Sequence, residues 1–263
     1  MSDDAPRRPD DGRRLTKAER KDQARREREE LQRRMASKRR ARSVGIAAGA
    51  VVIAAVVAAT TLLPSGGEFP EAQQLLQRAA AAAQDAGCDE VATTPDYEPP
   101  DQDRAHIDPT AGPPLSTYPT TPPASGPHAD IPPGPLPAGV YDSLTTEDLY
   151  RAIHFLEHGA SIVWYDPTAP ANRIAQLTGF YDRRLQDAPV GQDRVIVAPY
   201  DFPGDADGIL PEGTQMAVVA WHRLRLCASV DLAVAFDFTS QYSFPTAEDR
   251  EYAGDAPEPG AAI

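Results

Sequence analysis

Apolar residues follow three different rhythms along this chain. From Ser43 to Leu63 they run without interruption, and no charge falls between Arg42 and Glu68. As helix, about 21 residues rise ~31 Å, the thickness of a bilayer's hydrocarbon core. A helical rhythm follows from Phe69 to Ala86, with Leu75, Leu76 and many alanines, and ends at Gly87-Cys88. Residues 89–137 then lose periodicity, and 14 of the 27 prolines fall between Pro95 and Pro137. Proline removes a backbone donor and fixes φ, so neither helix nor central strand is expected there. A linker is one reading. The histidines it carries and its Ser-Gly-Pro-His turn favour another, in which part of it packs on the domain.

Alternating elements return near Tyr141. Thr145 or Thr146 can cap a helix running to about His158, with Glu147 and Asp148 in its first turn and Gly159 as its stop. Ala160–Tyr165 is a short apolar strand. Pro170–Leu185 is a helix with Ile174, Leu177, Tyr181 and Leu185 on one face. Arg194–Pro199 is a second strand, Thr214–Leu226 a longer third, and Val230–Tyr242 a last helix. The expected fold is one small α/β or α+β domain behind a single N-terminal transmembrane helix. Its sheet is short, about three strands, with three to four helices. The chain divides into a basic segment 1–42, a transmembrane helix 43–63, a helix plus Pro-rich segment 64–140, a globular core 141–243 and an acidic disordered tail 244–263.

Charge orients the span. The first 42 residues hold 16 Lys+Arg against 9 Asp+Glu, a net +7, whereas everything after the span holds 10 Arg against 30 Asp+Glu, a net −20. Basic residues next to a span resist translocation, so the N-terminus is expected in the cytoplasm and the C-terminal domain outside, in a single-pass cell-membrane protein. Arg33, Arg34, Lys38, Arg39, Arg40 and Arg42 crowd the bilayer, which is the one partner implied. A cleaved signal peptide is the rival; its apolar region is shorter and sits behind a shorter basic start. The acidity of the outer part excludes nucleic acid, whose phosphates it would repel.

Cys88 and Cys227, the only cysteines, both follow the span. In an oxidising compartment such a pair forms a disulfide, the alternative being two buried thiols. All five histidines follow it too. Pro122-Pro123-Ala124-Ser125-Gly126-Pro127-His128 is a stiff turn that presents His128 in a fixed direction. In Ile153-His154-Phe155-Leu156-Glu157-His158-Gly159, His154 and His158 lie one helical turn apart on one face, a spacing that suits two imidazoles on one metal. The same string matches H-x-x-E-H of inverted zinc proteases, but Gly159 cuts the helix short. The structural alternative is a pair of packed or helix-capping histidines.

Together, P-P-x-S-G-P-H at Pro122–His128 and H-x-L-E-H-G at His154–Gly159, running into an apolar strand, resemble the extracytoplasmic bacterial family known as domain of unknown function 3105. Gly87-Cys88, His106 after Asp103-Arg104, and Trp221 in the third strand match as well. The resemblance covers about residues 87–243. It implies a single N-terminal tether and no established activity or catalytic residue. Where the family has a small residue after the tryptophan, this chain has His222, which period-2 counting places with Val218, Leu224 and Leu226 as a packed side chain.

With that pattern, His106, His128, His154 and His158 are the candidate metal ligands, and Glu157 a candidate ligand, orienting group or base. Imidazoles suit Cu, Zn or Ni; Cu or Zn is the cofactor expected, though three methionines are too few for a Met-rich Cu(I) carrier. The rival is a cell-envelope interaction or structural module with no metal and no catalysis. No nucleotide loop, nucleophile elbow or EF-hand is present, and Asp201-Phe202-Pro203-Gly204-Asp205-Ala206-Asp207 reads as an acidic turn rather than a Ca²⁺ loop. Whether the protein is an enzyme is left open by these residues.

Overall fold

The computed structural model describes residues 72–129, 135–187, 194–246 and 250–261. The basic segment and the apolar run 43–63 lie outside them. Among the described residues, no helix is long and apolar enough to cross a membrane.

The domain is α+β. Four helices, α1 (Ala72–Asp85), α2 (Thr146–Glu157), α3 (Ala171–Asp187) and α4 (Leu232–Tyr242), accompany a six-stranded sheet. Its strands are β1 (Ala92–Thr93), β4 (Gly139–Val140), β5 (Ser161–Tyr165), β6 (Val195–Pro199), β7 (Met216–Ala220) and β8 (Arg223–Cys227), in the order β1-β8-β7-β5-β6-β4. The β4-β6 and β5-β6 pairs are parallel, and the rest antiparallel. A separate parallel pair joins β2 (His106–Ile107) to β3 (His128–Ala129).

Alternation along the central strands builds two cores. Ile162, Trp164, Ile196, Ala198, Ala217 and Val219 face α2 and the Pro-rich segment, whose Tyr97, Leu115, Tyr118 and Ala124 are buried with them. Val163, Val197, Met216 and Val218 face the other way, onto Leu75 of α1, Leu177 and Phe180 of α3, and Phe236 and Phe238 of α4. Both faces are covered, which is why these strands read as unbroken apolar runs.

Four expectations are corrected. The sheet has six strands rather than about three, because β1 and β4 are two-residue edge strands, too short to carry a period. The third strand is a hairpin: Ala220 pairs with Arg223, leaving Trp221-His222 as a two-residue turn, with His222 at φ 54°. That turn breaks the period-2 count, so His222 does not share a face with Val218. The core begins before Tyr141, since α1 packs in the same compact unit as the rest. Finally, residues 250–261 are not a frayed tail. The Ala253 N–H donates to Gln241 O at 2.9 Å, Glu258 N–H to Glu157 O at 3.1 Å, and Gly260 N–H to His158 O at 3.3 Å. A helix end leaves carbonyls without intrahelical partners, and this segment supplies donors at the end of α2. Arg250 adds an ion pair to Asp237 at 2.8 Å.

Candidate metal centre

Helix α2 is set from its N-terminus. Thr145 and Asp148 form a capping box, each side chain accepting from the other's backbone N–H. Its last turn carries His154 and Glu157, with His158 as the C-terminal cap. Gly159 follows at φ +85°, and a Cβ there would lie 3.0 Å from that of Phe244, so the tight stop requires glycine.

The facing arm is the β2/β3 pair. His128 N–H donates to Ala105 O at 2.9 Å, and Gly126 N–H to Asp103 O at 3.0 Å. Gly126 sits at φ +112°, where a Cβ would be 2.8 Å from the Tyr118 ring; the Tyr118 hydroxyl itself donates to Pro127 O. Trp221 packs edge-on against His128, with ring centres 5.9 Å apart.

This arm brings His106, His128 and His154 together with Glu157. The ligand-capable atoms of the four lie within 4.8 Å of one another. His128 is fully buried, and His154 and Glu157 are buried too; His106 forms the exposed rim. His158 Nε2 is 2.8 Å from His154 Nε2, so it adjoins the group through His154. The four form a group capable of holding a metal ion.

Proton placement sharpens this. A carbonyl oxygen only accepts, so His128 Nδ1, 2.8 Å from Gly126 O, and His154 Nδ1, against Ala129 O, both carry hydrogen. Burial, only partly opposed by the Ala129 bond, pushes the His154 pKa below the ordinary imidazole value. Its ring is therefore neutral at pH 7, with a lone pair on Nε2. Glu157 Oε2 faces His128 Nε2 at 2.9 Å and His106 Nε2 at 3.6 Å. Its other oxygen accepts from Arg104 Nε at 2.5 Å. Burial opposes ionisation of Glu157, but the His128 and Arg104 contacts outweigh it and bring the pKa down to about 2. An ionised carboxylate cannot sit against an imidazole lone pair without a bridging positive charge, either a proton or a metal ion. His158 Nδ1 is buried with no hydrogen-bond partner.

Arg104 escaped the sequence reading, as did the clamp beneath the arm. Asp103 accepts from the Tyr97 N–H at 2.8 Å, the Ser125 hydroxyl at 2.7 Å and His222 Nε2 at 3.0 Å. Asp96 stands 3.6 Å from the same nitrogen, so Asp96, Asp103 and His222 form a second, smaller group of metal-ligating type. No local signal announces these contacts, because their partners lie up to 119 residues apart in sequence.

The clamp is expected to be pH-dependent. Burial opposes ionisation of Asp103, but the bonds from His222, Tyr97 and Ser125 hold its pKa below the ordinary value. The Asp103 bond raises His222 against the effect of burial. Stability from the lowered Asp103 is present above about pH 3.9 and lost as pH falls through the folded value. Stability from the raised His222 is present below about pH 6.5 and lost as pH rises through the folded value. His222→Ala should thus cost about 1.5–3 kcal/mol between roughly pH 4 and 6.5, the range for hydrogen bonds to charged groups, and less at pH 9. Denaturant unfolding at both pH values measures this; an equal loss at both would rule the ion pair out as the source.

The sequence model of a family described as a protein of unknown function (DUF3105) matches residues 115–259. No curated protein matches the chain at a significant level, and no solved structure does. The match covers more than half of the chain, which belongs to this family of unknown function.

Proposed function

We propose that this family member is a single-pass, membrane-anchored protein whose extracytoplasmic domain binds one transition-metal ion through His106, His128, His154 and Glu157, with His158 as a further donor. One observation carries the metal reading. His128 and His154 each spend Nδ1–H on a backbone carbonyl, which aims His128 Nε2 at the Glu157 carboxylate and turns His154 Nε2 inward, against His158 Nε2. Metal-bound histidines are oriented in this way: the outer N–H is fixed by an acceptor and the inner nitrogen faces the ion. Glu157, kept ionised among them, supplies charge that neutral imidazoles lack.

Imidazole with one carboxylate suits Zn or Cu, and scarce methionine disfavours a thioether Cu(I) site. The anchor rests on the uncharged run 43–63 and on the change from net +7 before it to net −20 after it.

Full-length protein purified in detergent, stripped and reloaded with Zn²⁺ or Cu²⁺, should retain about one ion per chain. His128→Ala and His154→Ala should each lower metal affinity by 100-fold or more, on the order of 3 kcal/mol. Unchanged stoichiometry and affinity in both variants would end the proposal. A reporter fused after Ile263 should be active only outside the cytoplasm; cytoplasmic activity would reverse the topology.

A further inference from the structure

The side chains of the candidate centre differ sharply in exposure. His128, His154, Glu157 and His158 are all less than a tenth exposed, whereas the side chains of His106 and Arg104 are 45% and 50% exposed. Among the described residues, the centre therefore meets solvent at His106 and Arg104. Arg104 is also bound into the centre. Its Nε donates to Glu157 Oε1 at 2.5 Å, and its Nη2 to Glu258 Oε1 at 2.8 Å. Those are two of five N–H donors on a planar fork that matches two-oxygen anions.

Charge decides what that opening attracts. Arg104 with Glu157 and Glu258 leaves one net negative charge at the rim. Without metal, the proton that must bridge Glu157 and His128 offsets that charge. A divalent ion in its place leaves one net positive charge, most of it shielded from solvent inside the centre. The empty centre is neutral overall, and the loaded one attracts anions. The span is set by the protein's own carboxylate: the two oxygens of Glu157 already bridge Arg104 to His128.

We propose that the loaded centre takes a small planar oxyanion, a carboxylate or bicarbonate, as an exogenous ligand between the metal and Arg104. This rests on the metal reading above. Binding of metal and anion is reciprocal: an anion that requires the metal must tighten the metal by the same factor. Glu258 opposes the anion from the rim, and its backbone N–H, not its side chain, braces the end of α2. Removing its charge should therefore strengthen the anion without unmaking the centre.

The test uses full-length protein loaded with Co²⁺, whose visible absorption reports coordination. Bicarbonate and formate are titrated at constant ionic strength, with chloride as the control salt. Either probe should change the spectrum saturably and tighten Co²⁺ by about fivefold or more in chelator competition. Glu258→Gln should lower the bicarbonate concentration needed at half saturation, and Arg104→Gln should raise it or abolish the response. Co²⁺ that binds with one spectrum and one affinity, with or without these anions, overturns the oxyanion site and leaves the metal centre standing. No Co²⁺ binding at all overturns both. An anion response unmoved by Glu258→Gln and Arg104→Gln alike removes Arg104 as the anion's partner and overturns the proposal.

Discussion

Replacing Cys88 and Cys227 together by serine should destabilise the domain by about 5 kcal/mol, the chain-entropy value for a loop of this length. The two form a disulfide across 139 residues of sequence. It joins the turn after α1 to the last residue of β8, beside the backbone bond from Asp89 N–H to Leu226 O at 2.9 Å. Without it, the unfolded chain recovers the freedom of nearly the whole domain. Domains have only about 5–15 kcal/mol of net stability, so a third or more of the total is at stake. Helix α1 should loosen first. It is held by Leu75, Ala79, Ala82 and Ala83, a mostly alanine face that buries little area per residue. Urea unfolding of oxidised wild type and the double-serine variant gives the difference from the midpoints and slopes. Matching midpoints would mean that the bond adds nothing beyond the α1–α4 packing.

What could be read in the sequence was local. The threonine cap, which falls on Thr145 rather than Thr146, the Gly159 stop and the i,i+4 histidines are each decided within a few residues. The two motifs also mark out the family whose sequence model covers residues 115–259. Non-local pairing was hidden. Nothing near Trp221-His222 signals a turn, because neither residue is glycine, asparagine or aspartate, so two strands read as one. The described residues of the Pro-rich segment form no α-helix, as its prolines require, but they do form three short 3-10 helices, Pro100–Gln102, Pro109–Ala111 and Leu115–Thr117. Yet its direction depends on Gly126 N–H meeting Asp103 O and His222 N–H meeting Ala124 O, pairs no periodicity can reveal. The acidic C-terminal stretch looked unstructured by composition, but carbonyls at the end of a distant helix give its amides something to bind. Arg104 belongs to the same class: an arginine two residues before a histidine becomes meaningful only once α2 places Glu157 against it.

Glu157→Gln is expected to damage the centre in two ways at once, in stability and in metal binding. The substitution keeps the shape and removes the charge that faces His128, His106 and Arg104. A gain of destabilisation and a loss of metal should appear together. Losing a hydrogen bond to a charged group costs about 1.5–3 kcal/mol, and the exposed half of Arg104 keeps the loss within that range rather than the higher one for a fully buried pair. The pH dependence separates this from generic damage. Because Glu157 titrates near 2 in the folded protein, its contribution is present above the ordinary carboxylate value and is lost as pH falls from about 4.5 toward 2. Wild type should therefore lose stability relative to Glu157→Gln across that acid window, and the two unfolding curves should converge near pH 2. Curves that stay parallel from pH 7 to pH 2 would show that the carboxylate's charge is not what holds the centre together. Metal affinity read in parallel at pH 7 should fall by at least tenfold, about 1.4 kcal/mol. A glutamine side chain offers a neutral oxygen where the ion requires an anion.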